Sequence, residues 1–157
     1  MKEFTSTEVY NGGYDEIRGQ LIKTVNLKEY IDHPFLFLSR QRFTDYLTRI
    51  KLFEKIIHIK GSVVECGVYK GDSLMLYYHM STIFEPYAFN RKIIGFDAFG
   101  FFPSQNIKED DEYGKYHDKH AGKGLSIDEL TKVLKFKKLQ NIELVKGDIN
   151  STIPEYI

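Results

Sequence analysis

Three carboxylates stand at the ends of three apolar runs in this chain: Glu65 in Val63-Val64-Glu65-Cys66, Asp97 after Ile93-Ile94-Gly95-Phe96, and Asp148 shortly after Ile142–Val145. A carboxylate at the mouth of a sheet accepts hydrogen bonds from hydroxyls and amines and attracts cations, which suits it to holding a polar small molecule. The first acid opens the stretch Glu65-Cys66-Gly67-Val68-Tyr69-Lys70-Gly71-Asp72-Ser73, where an apolar run turns on one glycine and restarts as a helix after a second. Its Gly67-x-x-x-Gly71 spacing lacks the G-x-G-x-x-G pattern that lets a pyrophosphate approach a helix N-terminus. Tyr69 and Lys70 also fill positions where a pyrophosphate loop needs small residues. A phosphate-free ligand with an ammonium and a carboxylate suits this loop better, its cation near Glu65 and its anion near the amides from Gly67 to Ser73. S-Adenosylmethionine has such a tail. Asp97 is then placed to accept both hydroxyls of a ribose, the alternative being a solvated strand-end acid. Asp148 suits the exocyclic amine of an adenine, and equally a simple turn after Gly147. For the first loop the plainer alternative is a tight strand-to-helix turn that holds no ligand.

These acids act together only if one sheet edge collects them. Ser62 to Cys66 reads as a buried strand, Asp72 to Phe84 as a helix stopped by Pro86, and Lys92 to Phe96 as a second strand. Ser126 is a good cap for a helix to about Lys138, with Leu130, Val133 and Leu134 inward, and Ile142 to Val145 is a third strand. Strand, helix, strand, helix, strand is the order that builds a parallel sheet with its ligand edge at the carboxyl ends. The fold class expected is therefore α/β, Rossmann-like, with three parallel strands. Helices precede it: a short one from about Asp15 to Val25, after a turn at Asn11-Gly12-Gly13, and a longer one from Ser39 to about Ile59. Phe43, Leu47, Ile50, Phe53, Ile56 and Ile57 recur on one face of the longer helix, and Gly61 is placed to end it. His33-Pro34 separates the two. This divides the chain into an N-terminal helical segment, 1–60, and a cofactor-binding part, 61–157.

Residues 98 to 124 read as a long connection. His117 and His120 lie near Asp110, Asp111, Glu112 and Asp118, but Lys115, Lys119 and Lys123 interleave them and oppose a cation, so a solvated mobile loop is expected rather than a metal site. A lid over a bound cofactor is the functional alternative. Phe99, Phe101 and Phe102 are read as core before they are read as a platform for an adenine or a sugar. Cys66, beside an acid that disfavours a thiolate, is read as a small buried hydrophobe.

Glu65 through Ser73, then Gly95-Phe96-Asp97-Ala98-Phe99 to Pro103, then Gly147-Asp148 with Thr152-Ile153-Pro154, resemble the macrocin O-methyltransferase family over roughly residues 40 to 157. These are sugar-modifying class I enzymes dependent on S-adenosylmethionine. The resemblance implies that Glu65, Cys66, Gly67, Val68, Tyr69, Gly71, Asp72 and Ser73 hold the methionine part. It gives the ribose to Asp97 with Ala98 and Phe99 beside it, and the adenine side to Asp148 and Ile149. The sequence departs from the pattern at Asp72, where the family usually has another glycine, and across 100–124. The family's divalent metal, Mg2+ being one choice, is held by carboxylates after later strands, which would lie beyond Ile157. No catalytic base is assigned among these residues, so the chain looks like the cofactor-binding half of an enzyme and is expected not to transfer methyl groups alone.

Composition narrows the partners. Lysine plus arginine equals aspartate plus glutamate at 22 each, without the basic excess of a nucleic-acid binder. One cysteine fits a reducing compartment, the N-terminus has no signal-peptide pattern, and no apolar run reaches the length of a membrane span, so a cytoplasmic protein is expected. An exposed three-stranded parallel sheet is expected to associate, with itself or another chain. Two other readings stand beside methyl transfer: a nucleotide-dependent oxidoreductase or epimerase, disfavoured by the glycine spacing, and a non-catalytic assembly module.

Overall fold

The computed structural model describes residues 19–101 and 108–157. Contacts divide the chain into two compact units, Met1–Leu47 and Thr48–Ile157. In the first unit, residues 19–24 are helical and α1 (Leu27–Asp32) is capped by the Asn26 side chain, which accepts from the Glu29 amide at 3.0 Å. Residues 15–18 of the first expected helix, and the Asn11-Gly12-Gly13 turn, lie outside the described residues. Pro34 does break the chain, and its fixed φ starts a 3-10 turn, Pro34–Leu36. Phe37 is buried and stacks on Tyr30, with ring centroids 4.3 Å apart.

Helix α2 (Arg40–Glu54) ends earlier than its apolar pattern suggests, because residues 55–58 leave the helix as turns. Arg91 holds that exit. Its guanidinium donates to the carbonyl oxygens of Ile56, Ile59 and Gly61 at 3.2, 2.8 and 2.9 Å. It also forms a two-point pair with Glu85, at 2.6 and 2.7 Å, both side chains being 7% exposed. Breaking off the helix frees these carbonyls, and a buried guanidinium collects them.

The second unit continues with β1 (Val63–Cys66), α3 (Asp72–Phe84), β2 (Ile93–Asp97), α4 (Lys108–Ala121), α5 (Ile127–Phe136), β3 (Ile142–Lys146) and α6 (Ile149–Tyr156). The strands form one parallel sheet in the order β1-β2-β3, with Glu65 beside Gly95 and Gly95 beside Leu144. The expected α/β fold is therefore present. Ile93 packs with Val68, Leu74, Phe99 and Leu130 on one face of the sheet, where α3 and α5 lie. A side chain at Gly95 would put its Cβ 2.6 Å from Val68 and 3.1 Å from Leu74, so only glycine lets these layers close. On the other face, Phe96 meets Tyr156 of α6 edge to face at 5.4 Å.

Two expectations about β1 change here. Val64 is 54% exposed and Cys66 is exposed, so the strand is not buried and the cysteine is not a core hydrophobe. Among the described residues β1 is an edge strand, and α6 covers that face only near β2 and β3. Helix α4 replaces an expected connection, and α6 is a helix for which no element was expected. α6 is short and contains Pro154, a residue that reads as a breaker. α4 occupies the supposed loop of 98–124, supported by pairs such as Asp111–Lys115 at 2.5 Å. Serine 126 caps α5 as expected, in a full capping box with Glu129. Among the described residues no helix is long and apolar enough to cross a membrane.

Candidate functional site

The carboxyl ends of the strands are bound into one rim by the backbone. The Gly67 amide donates to the Phe96 carbonyl at 2.8 Å, and the Gly147 amide to the Asp97 carbonyl at 3.0 Å. A cavity of about 470 Å³ opens over this rim. β1 contributes Cys66, Gly67 and Tyr69; β2 contributes Phe96, Asp97, Ala98 and Phe101; β3 contributes Gly147, Asp148, Ile149 and Asn150. Its far wall is α4 and the turn after it, through His117, Asp118 and Gly124.

Asp97 is the organising acid. Its Oδ2 accepts from the Tyr69 amide at 2.9 Å, and its Oδ1 from the Phe99 amide at 2.6 Å. Both donors belong to residues in the left-handed region, with φ of 53° and 55°, which is unfavourable for side chains of this size. The carboxylate thus holds two strained turns against the rim. An ionised carboxylate offers about four acceptor positions, so each oxygen keeps capacity for a ligand hydroxyl.

Glu65 lies on the opposite side of β1 from Cys66, towards α3 and α2. Burial is the main force on it and raises its pKa from 4.5 to about 7. The Ser73 hydroxyl and the Arg49 guanidinium oppose that rise, and the charges of Asp72 and Asp97 add to it. Its Oε2 is buried and has no hydrogen-bond partner among the described residues. Burial likewise raises Tyr77, with Glu65 contributing and Arg49 opposing.

Of the residues expected in a cofactor site, the cavity brings together Cys66, Gly67, Tyr69, Asp97, Ala98, Asp148 and Ile149. Glu65, Val68, Gly71, Asp72, Ser73 and Phe99 do not line it. Val68 and Phe99 are core, at 4% and 7% exposure, because the turns that carry them fold down onto Leu74 and Leu130. Gly71 is the left-handed N-cap of α3. Asp148 caps α6, its Oδ1 accepting from the Asn150 amide at 2.8 Å, which is the turn role weighed for it.

His117 and Asp118 are ionisable lining residues that the sequence reading missed, as it missed Phe96, Gly124 and Asn150. His117 and Asp118 were expected in a solvated loop, and instead face the rim from a helix. The signal is Gly114, His117, Asp118 and Ala121, at helical spacing but too small or polar to look like a packed stripe. Phe101 also lines the cavity, with Lys123 over its ring at 5.8 Å; Phe102 and the side chain of His120 lie outside the described residues. No group of three or more His, Cys, Asp or Glu among the described residues is placed to hold a metal ion.

Another cavity, of about 550 Å³, lies at the amino ends of the strands around Gly61, Phe89 and Arg91. Its buried charges, Arg91 and Glu85, already satisfy each other, so it presents little for a polar ligand. The carboxyl rim is the candidate site, since open parallel sheets bind ligands at the carboxyl ends of their strands.

No protein-family model matches the chain, and no curated protein matches it. Among solved structures it is similar to CalS11, a calicheamicin methyltransferase, at 24% identity and a TM-score of 0.66, over 96% of this chain and 62% of that one. The apo structure of CalS11, described as a TDP-rhamnose 3'-O-methyltransferase of calicheamicin biosynthesis, gives 23% identity and a TM-score of 0.63 over 96% of this chain and 60% of that one. The O-methyltransferase NovP gives 18% identity and a TM-score of 0.59 over 70% of this chain and 47% of that one. The chain spans less than two thirds of the length of each. The likeness identifies the fold as the Rossmann-like α/β sheet found in these O-methyltransferases.

Proposed function

We propose that this chain is the cofactor-binding part of an S-adenosylmethionine-dependent methyltransferase acting on a hydroxyl of a sugar or similar small molecule. The observation that carries the reading is Asp97, which closes the central strand at the cavity and is oriented by two amides with acceptor capacity left over. The residues fit the cofactor at Asp97, whose spare acceptor positions open on the cavity, whereas Glu65, with its buried Oε2 unpartnered, stands outside the lining. In this reading Asp97 holds the ribose hydroxyls, Asp148 and Ile149 flank the adenine, and Glu65 with the loop to Ser73 serves the methionine part. The bound cofactor supplies an electrophilic methyl group on sulfur. Removing the proton from an acceptor hydroxyl needs a base or a metal, and no described residue of this chain is given that role. The sugar acceptor rests on the likeness to CalS11, a TDP-rhamnose 3'-O-methyltransferase, and on the macrocin-family resemblance.

Isothermal titration with S-adenosylmethionine and S-adenosylhomocysteine tests the reading. Binding of either supports it, and no heat from both on a folded sample removes it. The exposed Val64 and Cys66 on the edge strand support association through that face, which light scattering checks: a monomer at high concentration would refute it.

A further inference from the structure

Tyr69 is tied down at four points. Its amide donates to Asp97, its carbonyl accepts from the Leu125 amide at 2.9 Å, its hydroxyl donates to the Ala121 carbonyl, and its ring meets the His117 ring edge to face at 5.5 Å. Lys70 reinforces the third tie, donating from Nζ to the same Ala121 carbonyl at 3.2 Å. Gly124 fits under this joint only because it lacks a side chain: a Cβ there would sit 2.8 Å from the Tyr69 carbonyl oxygen. The last turn of α4 is therefore fastened to the first loop across about fifty residues of chain. A left-handed tyrosine carries a conformational cost, and such strain persists at sites where surrounding contacts over-determine it.

That fastening places two polar side chains in the cavity wall opposite Asp97. His117 and Asp118 are 31% and 20% exposed, with Nδ1 and Oδ1 3.8 Å apart. Strand ends alone form an open shelf, and small-molecule sites enclose most of their ligand. Imidazole and carboxylate can exchange hydrogen bonds with hydroxyls and with an exocyclic amine, the polar groups of a nucleoside.

We infer that His117 and Asp118 contact the nucleoside part of the ligand from the α4 side, and that Tyr69 is the positioning residue that sets them there. The inference rests on the proposed function, because the ligand it names is adenosine-bearing. It also explains Tyr69 and Lys70, whose bulk disqualifies the loop as a pyrophosphate cradle: they are the anchor for the opposite wall.

The test uses the whole chain, labelled at histidine, and S-adenosylhomocysteine as the probe. The His117 imidazole signal, identified by its loss in His117→Gln, is expected to move on saturation with the probe. His117→Gln and Asp118→Asn are each expected to weaken binding about tenfold by calorimetry. Tyr69→Phe, which removes only the hydroxyl, should shift the His117 signal in the free protein and weaken binding about fivefold. A merely structural tyrosine would leave that signal in place. Probe binding with an unmoved His117 signal and unchanged affinity in both wall variants overturns this inference and leaves the proposed function standing. No probe binding by the unaltered chain overturns both.

Discussion

Glu65→Gln separates the cost of holding a charge beside β1 from the packing of the same side chain. Burial raises the Glu65 pKa from 4.5 to about 7, so the folded chain binds this proton more tightly than the unfolded chain does. The penalty is absent below the unfolded value, grows as pH climbs from about 4.5 to about 7, and stays constant above. The whole shift corresponds to at most about 3.4 kcal/mol. The site is only half-buried, and solvent screening reduces this to about 1–2 kcal/mol. Glutamine keeps the shape and an acceptor for Ser73 while removing the charge. The variant should match the parent near pH 4.5 and exceed it by about 1–2 kcal/mol at pH 8, a rise of roughly 2–8 °C in melting temperature for a chain of this size. Urea unfolding of both proteins at several pH values reads the difference directly, since all other titrating groups cancel. A difference that is flat with pH, or a variant less stable at pH 8, refutes the reasoning and means that Arg49 and Ser73 outweigh burial. Ligand binding should show the opposite sign. A cation placed beside Glu65 favours its ionised form, so affinity for S-adenosylhomocysteine should rise as pH passes through 7.

Other perturbations follow from the same geometry. Arg91→Ala strands the buried Glu85 carboxylate and should cost about 3–5 kcal/mol in urea unfolding, only partly recovered by Arg91→Met with Glu85→Gln, which still leaves the Ile56, Ile59 and Gly61 carbonyls without their donor. Gly95→Ala drives a methyl into Val68 and Leu74 and should cost about 1–3 kcal/mol, read as a lower melting temperature. Asp97→Asn turns one acceptor into a donor facing the Tyr69 or Phe99 amide. It should destabilise by about 1–3 kcal/mol, speed hydrogen exchange at those two amides, and weaken S-adenosylhomocysteine by more than tenfold. Unchanged exchange at both amides would show that the carboxylate does not hold the turns.

Local chemistry made much of this legible. The alternation of apolar strands with amphipathic helices, the Gly67 and Gly71 turn, and the Ser126–Glu129 capping box are short-range features, and each appears where its residues require. Asp97 at a strand end facing the cavity was legible for the same reason: strand polarity and length place it. Helix α4 was not, because the residues it turns inward are glycine, histidine and aspartate, and the partner that gives them a surface to face, Tyr69, is about fifty residues away. Val68 and Phe99 sit beside chemistry-bearing residues in the chain, yet left-handed turns at Tyr69 and at Phe99 itself send them into the core. Cys66 is exposed because β1 is an edge, and strand order is a property of the whole sheet. The sequence by itself determined the three strands, the helices α3 and α5 that connect them, and Asp97 and Asp148 at one rim, since those follow from contacts within a few residues. Tertiary structure alone decided which side chains enclose the cavity, because enclosure depends on long-range hydrogen bonds that close only when Tyr69, Asp97 and α4 meet.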